Sequence, residues 1–247
     1  MRLVVLAAGF ATRMHPLTLE RAKPLLEVGG RPVLSRILDR VLALDGLSEG
    51  VVVTNGKFHH QFEAWLGGYA SPVPLRLWND RTESDADKLG ATADLALGLE
   101  SLGGPPEDVL VVAGDNLFEF DLAPCAAAFR AGGGHLLLVR TVEGPIPPAR
   151  YNEVTLGPAG EVLSFREKPA DPVSPLSALC LYFFRPTVAE RLREYLAAGG
   201  NPDAPGYFLE WLSRRERLDA VRIQGPWYDI GNLATLAAAR EAYAGAQ

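Results

Sequence analysis

The chain opens on a predicted strand, about residues 2–7, that is continuously apolar after Arg2. A strand apolar on both faces belongs in the middle of a parallel sheet, buried from both sides. The same signature returns at residues 51–54 and 109–113, and a further strand is predicted near 75–78. Between these runs the period changes. Leu34, Ile37, Leu38, Val41 and Leu42 recur at helical spacing and predict a helix over about 32–44, with Pro32 in its first turn. Helices are also predicted at 57–66 and 88–102, and the polar stretch 79–87 reads as a loop. Strand and helix in alternation argue a parallel sheet covered by helices on both faces.

After residue 135 the texture changes. Strands are predicted at 135–140, 153–156, 161–166 and 179–184, with a hairpin turn at 157–160. Amphipathic helices follow at 186–198 and 207–217, then a strand at 220–223 and an Ala-rich final helix. No repeat, linker or low-complexity tail interrupts the 247 residues. The expected fold is a single α/β domain over 1–247, with a Rossmann-like, mixed but mainly parallel sheet sandwiched by helices. Residues 1–134 would form a nucleotide-binding half and 135–247 an acceptor-binding half.

Composition narrows the function. The net charge is -6, so the basic footprint needed for nucleic acid or an anionic membrane surface is missing. The two cysteines, Cys125 and Cys180, have no metal-ligand or disulfide spacing, and Cys180 is expected in the core. The apolar N-terminal run is too short for a leader or a span, which predicts a cytoplasmic protein. His15, His59, His60 and His135 form no metal set. A homo-oligomer is left open.

The most informative segment is residues 6–34, LAAGFATRMHPLTLERAKPLLEVGGRPVL. The first strand runs into small residues, Ala7, Ala8, Gly9 and Ala11. Small side chains let a phosphate chain approach backbone N–H groups. Arg13 adds a guanidinium suited to bidentate phosphate contact, and Lys23 a second cation. The loop is not a P-loop, because it lacks the Gly-Lys-Ser/Thr ending, nor a dinucleotide fingerprint, because later glycines are missing. Taken singly, each of these residues is as well explained as ordinary loop or surface.

Taken together, the segment resembles the N-terminal signature of the sugar-phosphate nucleotidyltransferases, L-A-A-G-x-G-T-R-x-x-P-L-T-x-x-x-P-K-P-L. It matches at Leu6, Ala7, Ala8, Gly9, Thr12, Arg13, Pro16, Leu17, Thr18, Lys23, Pro24 and Leu25. It departs at Ala11, where the family usually has Gly, and at Ala22, where it usually has Pro. Alanine at 11 is a mild change if its φ is negative, and a strained one if φ is positive. The resemblance implies that Leu6, Ala7, Ala8 and Gly9 hold the triphosphate and that Arg13 and Lys23 carry the catalytic charge.

Three further segments extend it. Asp115 ends VLVVAGDN at a strand's carboxyl end, and Asp229 lies in WYDIGN before the last helix. Either alone is an ordinary turn or cap residue. The family has a Gly-Asp and a W-x-D-x-G at these points, which implies that both hold Mg²⁺, an ion that takes one or two carboxylates plus substrate phosphates. YNEVTLGPAGEVLSFREKP, residues 151–169, resembles the acceptor-binding hairpin. That implies acceptor contacts by Glu167 and Lys168, with Asn152 as a further candidate. DKLGATADL, residues 87–95, resembles a turn that touches base and ribose, which implies Leu89 and Gly90, with Lys88 beside them. Where the family often has Gly in its next strand, this chain has Cys180.

The implied reaction joins a nucleoside triphosphate to a sugar 1-phosphate, giving a nucleotide-sugar and pyrophosphate. A non-sugar phosphomonoester such as phosphocholine is the nearest alternative. A glycosyltransferase of similar layout would carry Asp-x-Asp where this chain has Gly114-Asp115-Asn116. A nucleotide-binding regulator without turnover would have no use for the full set Arg13, Lys23, Asp115, Lys168 and Asp229.

Overall fold

The structure, a computed structural model, describes residues 1–244; the last three positions of the expected acceptor half lie outside the described residues. β1 (Arg2–Leu6) leads through two single-turn 3₁₀ segments, Thr12–Met14 and Lys23–Leu25, into a tiny hairpin of β2 (Glu27–Val28) and β3 (Arg31–Pro32). Then α1 (Val33–Val41), β4 (Gly50–Thr54), α2 (His59–Gly67), β5 (Leu75–Asn79), α3 (Ala91–Leu102) and β6 (Val109–Ala113) alternate. β7 (Asn116–Phe118) and α4 (Ala123–Ala131) come before β8 (His135–Thr141), β9 (Glu153–Leu156), β10 (Val162–Arg166) and β11 (Leu176–Phe184). The chain ends through α5 (Val188–Ala197), α6 (Pro205–Leu212), β12 (Leu218–Arg222), β13 (Trp227–Asp229) and α7 (Leu233–Ala242).

One seven-stranded sheet organises these elements in the order β12-β8-β11-β6-β1-β4-β5. The β6-β1-β4-β5 block is parallel, β11 runs antiparallel to both its neighbours, and β12 returns parallel to β8. The sheet is therefore mixed and mainly parallel, as expected. Its central strands alternate between two cores. Leu3, Val5, Val52, Leu110 and Val112 pack with Leu34, Ile37 and Leu38 of α1, Phe62 of α2 and Phe129 of α4. Val4, Val51, Val53, Val109 and Val111 pack on the other face with Leu95 of α3, Leu192 of α5 and Phe208 of α6. Both faces being covered is why the runs are continuously apolar.

Several expected boundaries move, each for a local reason. α3 starts at Ala91 instead of 88, because Gly90 sits at φ 95, outside the helical region. α6 stops at Leu212, short of 217. Glu216 leaves the helix line to accept hydrogen bonds from His135 Nε2 at 2.8 Å, Thr187 Oγ1 at 2.8 Å and Arg191 Nε at 2.6 Å. Besides the β2–β3 hairpin, two further features were not anticipated. α4 is built from APCAAAFRA, whose small residues give no clear apolar stripe. β7 and β13 pair as a separate antiparallel ribbon, setting Asp229 opposite Asn116. Among the described residues, no helix is long and apolar enough to cross a membrane.

Candidate active site

The small-residue loop leaves β1 at the carboxyl edge of the sheet, where ligands of open α/β folds bind. It is pinned from beneath, with Ala7 N–H donating to Val53 O at 2.9 Å and Asn55 Nδ2 to Ala8 O at 2.9 Å. Above that anchor, the N–H groups of Ala8, Gly9, Phe10 and Ala11 find no acceptor among the described residues. Consecutive unpaired N–H groups are what an anion cradle needs. Ala11 adopts φ 51 and ψ 41, the left-handed region, so the departure from Gly carries strain after all. That conformation costs an L-residue roughly 1–2 kcal/mol. Thr18, itself buried, holds the strained peptide by donating Oγ1 to Ala11 O at 2.8 Å.

Lys23 Nζ donates to Asp115 Oδ2 in a close ion pair. Asp115 Oδ1 accepts from Asn116 Nδ2 at 2.9 Å, and Asn116 Oδ1 in turn accepts from Trp227 Nε1 at 3.1 Å. Ile230 N–H donates to Asp115 O at 3.0 Å. The β7–β13 ribbon and these bonds bring two aspartates far apart in sequence to one place. Burial raises the Asp115 carboxyl, but Lys23 and the hydrogen bonds outweigh it and hold the group below the usual carboxylate range. Asp229 moves the opposite way, raised by burial and by the charge on Asp115. Two adjacent carboxylates of which one resists ionisation form a site short of positive charge.

The β9–β10 hairpin delivers Glu167 and Lys168. Glu167 is 6% exposed in its side chain, and its Oε2 has no hydrogen-bond partner. Burial raises its carboxyl, opposed by Lys168. Lys168 takes φ 47, and its Nζ stands 3.6 Å from Glu167 Oε1. Asn152 borders the same space, but its amide is spent on β11: Oδ1 accepts from Ala178 N–H at 2.6 Å and Ser177 Oγ at 3.1 Å, and Nδ2 donates to Ala178 O at 3.0 Å.

These groups wall two clefts. One, of about 410 Å³, is lined by Leu6, Ala8, Gly9, Phe10, Ala11, Thr12, Arg13 and Lys23 at one end, with Lys88, Gly90, Asp80 and Asp94 also on its wall. The other, of about 310 Å³, is lined by Asn152, Glu167, Lys168, Arg140, Tyr151, Trp227 and Asp229. Both volumes suit small-molecule sites. Ala113, Asp115 and Cys180 belong to both walls. Two expected contacts stay out of the clefts: Ala7 is buried beneath the loop, and Leu89 is 39% exposed away from the lining.

The family model for nucleotidyl transferases matches residues 2–245, nearly the full length of the sequence. The chain belongs to the nucleotidyl transferase family. A glucose-1-phosphate thymidylyltransferase of Actinoplanes sp. is 31% identical over 240 residues, covering 95% of this chain and 75% of that protein. A mannose-1-phosphate guanylyltransferase catalytic subunit beta of Drosophila pseudoobscura pseudoobscura is 28% identical over 233 residues, covering 93% of this chain but only 59% of that protein. The chain thus spans about three fifths of the length of this second relative. A UDP-glucose pyrophosphorylase solved with UDP-glucose shares the fold, with TM-score 0.83 over 100% of this chain and 99% of that one at 19% identity.

Within this nucleotidyl transferase, Cys180 corrects an expectation. It is partly exposed on the wall common to both clefts, not sealed in the core. A register shift in β11 between Ala178 and Tyr182 places it there. Burial pushes its thiol up to about 12, with the charge on Asp115 adding to the shift, so it stays neutral and is no nucleophile. Sequence reasoning missed Asn116 and Trp227 as the relay that orients Asp115. It also missed Arg140, a lone cation near the end of an apolar strand with no motif around it.

Proposed function

We propose that this chain is a sugar-1-phosphate nucleotidyltransferase, with the loop-lined cleft taking the NTP and the hairpin-lined cleft taking the acceptor. The single observation that carries this reading is the common wall. Substrates in two clefts that meet at Asp115 would place their phosphates side by side. A phosphate oxygen of the acceptor attacks the α-phosphorus in line, and the bond to the β-phosphate oxygen breaks to release pyrophosphate. The attacking phosphate is already anionic, so the protein's task is positioning and charge neutralisation rather than proton transfer. The free N–H groups of residues 8–11 and the guanidinium of Arg13 would hold the triphosphate, and Glu167 would accept from a sugar hydroxyl. The printed names of the relatives are those of enzymes of this class.

The carboxylates of Asp115 and Asp229 fit a divalent cation. Their mutual proximity raises Asp229, and a dication relieves that cost. Among the described residues no three His, Cys, Asp or Glu gather at one point, so two carboxylates would leave the remaining positions to phosphate and water, which suits Mg²⁺. When bound, Mg²⁺ would supply positive charge to the reacting phosphates. The test is pyrophosphate release with each NTP against a panel of hexose 1-phosphates and phosphocholine. Release that needs both an NTP and a hexose 1-phosphate supports the reading. Sugar transfer from a nucleotide-sugar with no pyrophosphate chemistry would overturn it.

A further inference from the structure

Of the two lysines expected to meet phosphate, each is held by a carboxylate. Lys23 is paired with Asp115, and Lys168 stands against Glu167. The acceptor cleft also contains Asp229. A phosphate dianion entering that cleft would meet three carboxyl groups and one lysine that is already engaged. Some further positive group is needed to offset the repulsion.

Two arginines on that wall, Arg140 and Arg150, are such groups; Arg150 stacks on Tyr151 at 5.2 Å, whereas Arg140 is the one that also stacks on Trp227, in the same short strand as Asp229. Arg140 is the penultimate residue of β8, in register with Ser177 of β11, and it lines the acceptor cleft. Its guanidinium carbon lies 4.4 Å from the centroid of the Trp227 ring and 5.9 Å from that of Tyr151. Among the described residues it has neither a carboxylate partner nor a hydrogen-bond acceptor. Its charge nevertheless reaches Asp229, one of the two candidate metal carboxylates, which places it near the reacting centre. Stacking on aromatic rings fixes the plane of a guanidinium while leaving its N–H fork uncommitted. A planar fork held ready in that way is suited to bidentate contact with two phosphate oxygens.

We propose that Arg140, held between Trp227 and Tyr151, grips the phosphate of the acceptor through its N–H fork. This rests on the reading of the hairpin-lined cleft as the acceptor site. Arg13 would then serve the triphosphate and Arg140 the attacking phosphate. Arg140 sets the position of the nucleophile relative to Asp229, while Lys168 and Glu167 recognise the rest of the acceptor.

The test compares wild type with Arg140→Ala and Arg140→Lys. In pyrophosphate release with the best NTP and hexose 1-phosphate pair, Arg140→Ala should raise the acceptor KM at least 10-fold and leave the NTP KM within about twofold. Arg140→Lys should recover only part of the loss, because an ammonium cannot make the forked contact. An unchanged acceptor KM, equal rises in both KM values, or full recovery with lysine would overturn the proposal. A second measurement does not depend on turnover. Inorganic phosphate is titrated into each protein with the loop-lined cleft saturated by a nucleoside triphosphate, and binding is followed by ³¹P line broadening. Phosphate binding that is lost in Arg140→Ala supports the clamp even if no sugar 1-phosphate reacts, an outcome that would sink only the wider functional reading. Binding of equal strength in wild type and variant, or none to wild type, would overturn the clamp itself.

Discussion

Each charged side chain of the site is balanced differently, and that balance sets what its loss would do. Asp115 is held ionised by Lys23 and oriented by Asn116, so Asp115→Ala removes a charge already in place for the transition state. Turnover should fall on the order of 10²-fold or more, the usual scale for one preorganised electrostatic contact. Pyrophosphate release at saturating substrates measures it, and undiminished turnover would remove Asp115 from the metal site. Asp94, on the wall of the nucleotide cleft, makes a different prediction. Burial first, and the charge on Asp80 second, push its carboxyl up to about 8. The unfolded chain releases that proton near pH ~3.9. Between those values the folded state binds more protons than the unfolded one, so the Asp94 contribution to stability falls as pH rises. Asp94→Asn should therefore gain stability relative to wild type between about pH 5 and pH 8. Urea midpoints for both proteins across that range check it, and a flat difference would mean that Asp94 is ionised throughout.

Short elements, not long ones, assemble the chemistry. β7 and β13 are three residues each, yet they bring Asp229 beside Asp115 and support the Trp227–Asn116–Asp115 relay. Segments that short have no periodicity, which is why their pairing could not be read from the sequence even though both aspartates could. The small-residue loop after β1 was legible for the opposite reason. Its small residues and its two cations lie within one contiguous stretch, so the resemblance to a family signature could be read there directly. The strain at Ala11 was stated only as a condition on φ, because backbone conformation is set by Thr18 and the loop's anchors as much as by the residue itself. At the start of α6, Gly206 offers a test. A methyl group there would overlap the Glu167 carboxylate, although its backbone conformation suits any residue. Gly206→Ala should cost about 1–3 kcal/mol of stability through overpacking. It should also raise the acceptor KM several-fold while sparing the NTP KM. Thermal unfolding and steady-state kinetics read the two effects separately, and an unchanged acceptor KM would mean that Glu167 takes no part in binding.

The sheet as an entirety was predicted well because burial on both faces writes an unmistakable run of apolar residues, and β1, β4 and β6 are such runs. What escaped notice depends on contacts across long stretches of chain. Arg140 gains its meaning only from Trp227 and Tyr151, and Cys180 only from the irregular register of β11. The same distributed charge implies a dependence on added cation. With a chelator present, Asp115 and Asp229 would repel incoming phosphates without relief, so pyrophosphate release should drop to background and return when Mg²⁺ is restored. Activity that survives EDTA at full strength would exclude a role for the ion.

Ala113, Asp115 and Cys180, counted in both clefts, have a consequence for the far side of the reaction. On the proposed reading a nucleotide-sugar would keep its nucleoside in one cleft and its sugar in the other, with its diphosphate bridging the partition. Such a product would be a two-headed ligand that occupies both doorways at once. It should behave as a competitive inhibitor against the NTP and against the acceptor alike, whereas pyrophosphate, confined to the loop side, should compete with the NTP alone.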